Sequence, residues 1–193
     1  EIRALNQTCW VIQADLSSSE SVSRLFDSAR NLAEISGLIN YASIFKPVAF
    51  ANTSLDDWET HFQVNLTAPF LLTQAFANYY KSENVGRVIN LVDWRALRPG
   101  RDHFPYTISK AGLVALTKAT ALSLAPRISV NAVALGAILP PENEPENTNI
   151  IRSVPMQRWA EMHELLKTIN FLLDGPSYVT GEVIHLDGGR HLV

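Results

Sequence analysis

Short apolar segments alternate with longer segments of helical periodicity along this chain. The short segments are rich in β-branched and other apolar residues and are bounded by polar residues or glycine, which is typical of buried strands. They lie at Thr8–Ala14, Leu38–Asn40, Gly86–Val92, Ile128–Ala134 and Glu182–Leu186.

The segments between them predict helices, because their apolar residues recur at helical spacing and serine or acidic residues stand at their starts. These helices are expected from Ser18 or Ser19 to about Glu34, from Ser54 to Tyr79 or Tyr80 with a bend near Pro69, from Pro105 to about Leu124, and from Met162 to Leu173. The proline-rich stretch Leu135–Asn149 is expected to form a mobile flap. Alternating strands and helices predict an α/β fold with a Rossmann-like, doubly wound parallel sheet.

Composition narrows the class of protein. The 193 residues are 47% hydrophobic and carry a net charge of −3, which predicts one globular domain over residues 1–193 and argues against nucleic acid as a partner. No apolar run reaches the roughly 20 residues that span a bilayer. A lone Cys9 and the absence of a signal-peptide pattern predict a cytoplasmic protein. No cluster of residues has metal-ligand spacing, so we expect no metal.

Tyr106 and Lys110 stand four residues apart in a predicted helix and therefore on one face of it. A nearby ammonium favours the phenolate and lowers the tyrosine pKa, which suits the pair to proton transfer. By itself the spacing is common, and a tyrosine packed beside a surface lysine is the other interpretation. Asp93 directly follows a buried strand, at the edge of an open α/β sheet where ligands bind.

Seven segments in order resemble the short-chain dehydrogenase/reductase superfamily. They are Ala14-Asp15-Leu16, Ile39 to Ser43, Val64-Asn65, Gly86–Val92, Tyr106 to Lys110, Val130 to Val133, and Thr180-Gly181 with Asp187-Gly188-Gly189. Any one of these matches is weak, and the ordered set is specific. The resemblance implies an oxidoreductase with a nicotinamide cofactor, with NADPH the more usual hydride donor and NAD the alternative.

The resemblance also implies roles for individual residues. Tyr106 would donate the proton, Lys110 would bind the nicotinamide ribose and lower the pKa of Tyr106, and Asn65 would kink its helix and hold a water in a proton relay. The cofactor-binding residues would be Asp15, Leu16, Asn40, Ala42, Tyr106, Lys110, Gly136 and Ile138.

The chain departs from the family pattern in two ways that matter. The glycine-rich turn that receives the pyrophosphate is absent from the sequence, so the fold is expected to lack the first βαβ unit. We therefore expect the 193-residue chain to bind dinucleotide poorly, with Thr8–Ala14 either paired with Leu38–Asn40 or loose. Asp93 stands where the family usually has serine.

Asp93 directs the substrate prediction. An ionised carboxylate cannot donate to a ketone oxygen, and its charge opposes the charge that develops there. A ring with N–H groups suits it better, and a helix cap or a salt bridge to Arg95 or Arg98 is the alternative role. Pteridine reductases have this substitution. The chain is similar to them and to dihydromonapterin reductases at Ala42 to Phe45, Leu91 to Asp93, Gly136 to Pro140 and Asp187 to Leu192. Phe45 would then stack on a dihydropterin ring.

Three hypotheses therefore stand at this point. The first is NADPH-dependent reduction of a dihydropterin by Asp93, Phe45 and Tyr106 together. The second is a carbonyl or 3-oxoacyl reductase of the same superfamily. The third is a non-catalytic or truncated family member. The resemblance further implies a homodimer or homotetramer, built through the helices that carry Asn65 and Tyr106.

Overall fold

The computed structural model describes residues 2–140 and 149–193. Its helices are α1 (Ser19–Arg30), α2 (Leu55–Phe62), α3 (Ala68–Tyr79), α4 (Phe104–Leu124), α5 (Asn149–Arg152) and α6 (Met162–Asp174). Its strands are β1 (Gly37–Asn40), β2 (Gly86–Asp93), β3 (Ile128–Leu135) and β4 (Val183–Leu186). A π-helical turn, Gln63–Thr67, joins α2 to α3.

The four strands form one parallel sheet in the order β1-β2-β3-β4. Asp93 at the end of β2 pairs with Leu135 at the end of β3, so the carboxyl ends of the two central strands lie side by side. This alignment places every group that follows those strands at one edge of the sheet.

Helices cover both faces of the sheet, as the doubly wound prediction requires. Alternate residues of a strand point to opposite faces. Val88 packs with Phe26 and Phe76 of α1 and α3, whereas the next residue, Ile89, packs with residues of α6. The helix α4 extends the first layer beneath Val92. The α/β fold with a Rossmann-like parallel sheet is confirmed.

The predicted strand at Thr8–Ala14 is wrong. The segment has no regular secondary structure and no strand pairing, and Val11 is 89% exposed. Strand propensity measures packing against neighbouring strands, and β1 hydrogen-bonds to β2 alone among the described residues. The expected re-pairing with Leu38–Asn40 is therefore not present.

Helix boundaries differ from the predictions at two places. The first helix ends at Arg30 and not near Glu34, with Ser18 as its N-cap. The irregularity expected near Pro69 lies just before it, at the π-helical turn that contains Asn65. Ser54 and Asp57 form a reciprocal capping box at the start of α2, which satisfies backbone donors that the helix leaves free.

Part of the predicted flap, residues 141–148, lies outside the described residues. Within the part of the chain that is described, no helix is both long and apolar enough to cross a membrane. The same residues contain no group of three histidine, cysteine or acidic side chains placed to hold a metal ion.

Candidate active site

A cleft of about 440 Å³ opens at the carboxyl ends of the strands. Its walls come from β2, α4 and the loop after β1, and they bring together three of the predicted catalytic residues. The lining residues are Tyr41, Ala42, Ser43, Leu91, Val92, Asp93, Tyr106, Lys110 and Leu135. The strand-end position of Asp93 and the helical position of Tyr106 and Lys110 thus converge as the sequence predicted.

Asp93 and Tyr106 are joined directly. The Tyr106 hydroxyl donates to Asp93 Oδ2 over 3.1 Å. The other carboxylate oxygen, Oδ1, accepts from the backbone N–H of Arg95 at 2.8 Å and caps the short 3₁₀ turn Trp94–Ala96. Asp93 is therefore both a cap and a partner of the tyrosine. The proposed salt bridge to Arg95 is absent, because that guanidinium pairs with Asp102 at 2.9 Å.

The pair has shifted proton affinities. Burial raises the pKa of the Asp93 carboxyl above its ordinary value, against the opposing effect of the Arg95 backbone N–H. Burial and then the negative charge of Asp93 raise the pKa of Tyr106. The expectation that Lys110 lowers the pKa of Tyr106 is therefore wrong for this structure, in which Asp93 accepts the hydroxyl proton. Both groups hold their protons more tightly than usual.

Lys110 lies buried behind the tyrosine. Its ammonium donates to the carbonyl of Leu91 at 2.8 Å and lies 5.9 Å from the ring centroid of Tyr106. Burial lowers the pKa of Lys110 to about 8, partly offset by Asp93. An ammonium carries three donors, and the Leu91 carbonyl uses one of them. Lys110 therefore has donors to offer to hydroxyl groups of a bound molecule.

Asn65 ties two walls of the cleft together. Its Oδ1 accepts from the backbone N–H of Ile44 at 2.9 Å and from the Ser43 hydroxyl at 3.1 Å. Its Nδ2 donates to the Ile44 carbonyl and to the Ser109 hydroxyl, each at 3.1 Å. The side chain is completely buried. Asn65 thus fixes the loop after β1 against α4, and its π-helical turn matches the implied kink.

A buried polar chain supports the same loop. Asn40 at the end of β1 donates to Asn90 Oδ1 at 2.8 Å, and Asn90 donates to Thr117 at 2.9 Å. The Oδ1 atom of Asn40 is buried and has no hydrogen-bond partner among the described residues. An unpaired buried acceptor costs free energy, so this atom suits a donor from a bound molecule.

Phe45 forms an aromatic wall over the tyrosine. Its ring stacks on His103 with centroids 3.9 Å apart and meets Tyr106 edge to face at 4.6 Å. Even so, Phe45 remains 53% exposed. A half-exposed aromatic ring beside a proton donor is a surface on which a flat ring can stack.

The other predicted cofactor residues lie apart from this cleft. Asp15 is engaged with Ser17, whose backbone N–H and hydroxyl donate to Oδ1 at 2.9 and 2.7 Å. Leu16 lines a separate apolar groove of about 540 Å³ beside β1, which Ala42 shares with the cleft. Gly136 packs so closely on Asp187 that an added Cβ would lie 2.5 Å from the Asp187 Cα. Packing therefore explains Gly136. Ile138 packs on the α6 face of the sheet.

Sequence reasoning gave little weight to the residues behind Phe45. His103 has a left-handed backbone (φ 54°), and its Nδ1 lies 2.9 Å from Asp102. Asp102 in turn holds the Arg95 guanidinium, which lies 6.0 Å from the Phe45 ring centroid. The sequence signal for these residues was the high density of charged residues from Asp93 to His103. That density does not show which side chains point into the protein.

Comparison with known proteins matches this chain along nearly its whole length. A family model described as enoyl-(acyl carrier protein) reductase matches residues 1–191. A 3-oxoacyl-[acyl-carrier-protein] reductase from Synechocystis is 31% identical and aligns over 98% of this chain and 78% of its own. The corresponding reductase from Aquifex aeolicus is 34% identical, over 92% and 75% of the two chains.

A solved structure has the same arrangement of elements. FolM alternative dihydrofolate reductase 1 from Brucella canis, complexed with NADP, superposes with a TM-score of 0.90 and 33% identity. The match covers 100% of this chain and 77% of that one. The sheet, its helices and the strand-end position of the cleft therefore belong to a known architecture.

Proposed function

Because the chain belongs to the short-chain dehydrogenase/reductase superfamily of NAD(P)-dependent oxidoreductases, we propose that it reduces a dihydropterin-type substrate with NADPH. The observation that carries the proposal is the buried contact between Asp93 Oδ2 and the Tyr106 hydroxyl. A carboxyl group beside the proton donor accepts from ring N–H groups through an oxygen lone pair in either protonation state, whereas its ionised form opposes the charge of a developing alkoxide.

The nicotinamide half of the cofactor fits groups at the strand ends. Lys110 has spare donors that suit the ribose hydroxyls. The Oδ1 atom of Asn40 has no partner among the described residues and suits a donor from the cofactor. The small side chain of Ala42 leaves room for the cofactor in the cleft. When bound, the cofactor supplies the hydride. Contacts of Asp15 and Leu16 with the rest of the cofactor stay predictions, as do those of Gly136 and Ile138, whose places in the fold are already accounted for by their packing.

The proton comes from the Asp93–Tyr106 pair. Because burial raises the pKa of Asp93, its carboxyl keeps a proton at higher pH than an exposed one does. Tyr106 gives its hydroxyl proton to a ring nitrogen of the substrate and takes one from the Asp93 carboxyl. This route avoids a phenolate beside a carboxylate, the arrangement that the raised pKa of Tyr106 disfavours. Water then reprotonates Asp93.

Phe45 orients the substrate. Its ring contacts both His103 and Tyr106 and is 53% exposed, so a planar pterin would stack on the exposed part of the ring with its N–H groups toward Asp93. The similarity to a dihydrofolate reductase of the FolM type supports this assignment.

A carbonyl or 3-oxoacyl reductase is the second candidate, favoured by the two reductase relatives. Oxidation of NADPH by the purified chain, with dihydrobiopterin and with an acetoacetyl thioester as parallel substrates, separates the two. Because the chain is expected to bind dinucleotide poorly, the assay uses NADPH in large excess, and under that condition we expect turnover of dihydrobiopterin with tetrahydrobiopterin as the product. Turnover of the thioester alone would overturn the dihydropterin proposal.

The third hypothesis, a non-catalytic or truncated family member that binds dinucleotide poorly, requires its own measurement. Calorimetric titration with NADPH gives a dissociation constant without any substrate. A micromolar value would contradict the expectation of poor binding, and the absence of heat would support it. Assembly through the helices that carry Asn65 and Tyr106 stays a prediction, for which sedimentation velocity is the direct measurement.

A further inference from the structure

A second cleft, of about 680 Å³, lies next to the active site and is rich in arginine. Trp94, the residue after Asp93, forms part of its wall, so the two clefts are adjacent. Its charged lining side chains are all basic, and its apolar lining comes from Trp94, Pro99, Val193 and the segment before α6. The residues that matter are Trp94, Arg98, Arg152, Val154, Pro155 and Arg190.

The three arginines of this cleft have no carboxylate partner among residues 2–140 and 149–193. Other arginines of the chain do: Arg95 pairs with Asp102, and Arg158 pairs with Glu164. Burial and then the nearby charge of Arg95 lower the pKa of Arg190, against the smaller opposing effects of Asp93, Asp102 and Asp187. Unpaired cations held together in a concave site are stabilised by an anion.

The position of Arg190 is fixed before any ligand arrives. Its guanidinium lies 4.4 Å from the ring centroid of Trp94, and the Arg95 guanidinium lies 4.9 Å from the same ring. Arg98 donates to the backbone carbonyl of Arg190 at 3.3 Å. Arg98 thus lies against Arg190, and a guanidinium that is already oriented loses less entropy when it binds a carboxylate.

We propose that this cleft, the arginine cleft, binds the carboxylate-bearing tail of a dihydropterin substrate. The inference rests on the proposed function and deepens it. A ring bound at Asp93 would extend past Trp94 into the arginine cleft, where Trp94 and Pro155 offer an apolar wall to the tail's aromatic spacer. Arginine binds carboxylates with paired hydrogen bonds, and the volume suits a drug-sized group. A dihydrofolate tail meets this description, whereas a neutral dihydroxypropyl tail does not.

The test compares two substrates that share a ring. Steady-state reduction of dihydrofolate and of dihydrobiopterin is measured for the unaltered chain, for the triple variant Arg98→Gln/Arg152→Gln/Arg190→Gln, and for the surface variant Arg24→Gln. We expect the triple variant to raise KM for dihydrofolate by about tenfold or more, as the loss of charge-assisted hydrogen bonds implies. The kcat, the KM for dihydrobiopterin and the Arg24→Gln kinetics should stay unchanged. Arg190→Lys should retain part of the effect.

A binding measurement separates failure of this inference from failure of the proposed function. Aminobenzoyl-glutamate is titrated calorimetrically into the unaltered chain and the triple variant, with aminobenzamide and inorganic phosphate as comparison ligands. Binding of aminobenzoyl-glutamate that the triple variant loses would support the tail site even if no dihydropterin is reduced. Reduction of both dihydropterins with no difference in the triple variant would overturn the inference and leave the proposed function standing. Tighter binding of phosphate would also overturn it.

Discussion

Two regions of the sheet differ in how their side chains are packed: the carboxyl ends of β2 and β3, where the candidate site lies, and the free edge of β1. At the ends of β2 and β3 the functional groups are buried and joined, as in the contact between Asp93 and Tyr106 and the bond from Lys110 to Leu91. Along the free edge of β1 the side chain of Ile39 is 41% exposed, and an apolar groove of about 540 Å³ follows the strand.

The contrast teaches that proton transfer and cofactor binding depend on different parts of this molecule. The proton-transfer groups come from β2, α4 and the loop that Asn65 holds, which are fixed by core packing or by hydrogen bonds of the buried Asn65 side chain. The groups predicted to hold the distant half of the cofactor, such as Asp15 and Leu16, lie along the β1 edge.

The largest expected effect is on the joined side. Tyr106→Phe removes only the hydroxyl, so the fold should remain while kcat falls by about 10²- to 10⁴-fold, the usual contribution of a positioned proton donor. The measurement is NADPH oxidation at saturating dihydrobiopterin, with circular dichroism to verify folding. Tyr178→Phe, at a fully exposed tyrosine, is the control. A loss of less than tenfold would remove Tyr106 as the donor.

Stability should show the same contrast between the two sides. Leu113 is 1% exposed beneath β2 and β3, and Leu113→Ala should lower the free energy of unfolding by about 2–5 kcal/mol through cavity formation. Ile39→Ala should lower it by less than about 1 kcal/mol, because much of that side chain already meets water. Urea titrations measure both. Equal losses would show that the β1 edge is as well packed as the centre.

Asn65→Ala should have an intermediate effect on stability. It leaves the backbone groups of Ile44 and the hydroxyl of Ser109 without the hydrogen bonds that Asn65 makes to them. We expect a loss of about 1–3 kcal/mol in the free energy of unfolding together with faster hydrogen exchange at the Ile44 amide. The matched control is Asn52→Ala at an exposed position. Unchanged exchange at Ile44 would contradict the assigned role of Asn65.

The pH dependence of the rate is the subtlest expected effect. The pKa of Asp93 is raised by burial, and its protonated form is the one that refills Tyr106. The kcat should therefore be full below that raised pKa and fall as pH rises through it. Asp93→Asn should abolish this falling limb in a pH profile of dihydropterin reduction. If the fall of kcat with rising pH persists unchanged in Asp93→Asn, the titrating group is another residue.

The sequence predicted the central strands and the site because both depend on patterns that are local. Gly86–Val92 is apolar on both faces, and Tyr106 and Lys110 share a helix face through their spacing alone. The prediction failed at Thr8–Ala14, where the same β-forming residues have no described strand beside them. It also failed for the pKa of Tyr106, which is raised by burial and by the negative charge of Asp93. The fold brings Asp93, thirteen residues earlier in the chain, into hydrogen-bond contact with the tyrosine hydroxyl.

The Asp93→Ser variant tests the central claim most directly, since it restores the residue usual in the family while keeping Tyr106 and Lys110. The quantity to measure is the ratio of kcat/KM for dihydrobiopterin to kcat/KM for an acetoacetyl thioester, in the unaltered chain and in the variant. We predict that the ratio favours dihydrobiopterin in the unaltered chain and falls by about 100-fold or more in the variant, as expected when paired polar groups lose their match. An unchanged ratio would contradict the claim that Asp93 selects the substrate.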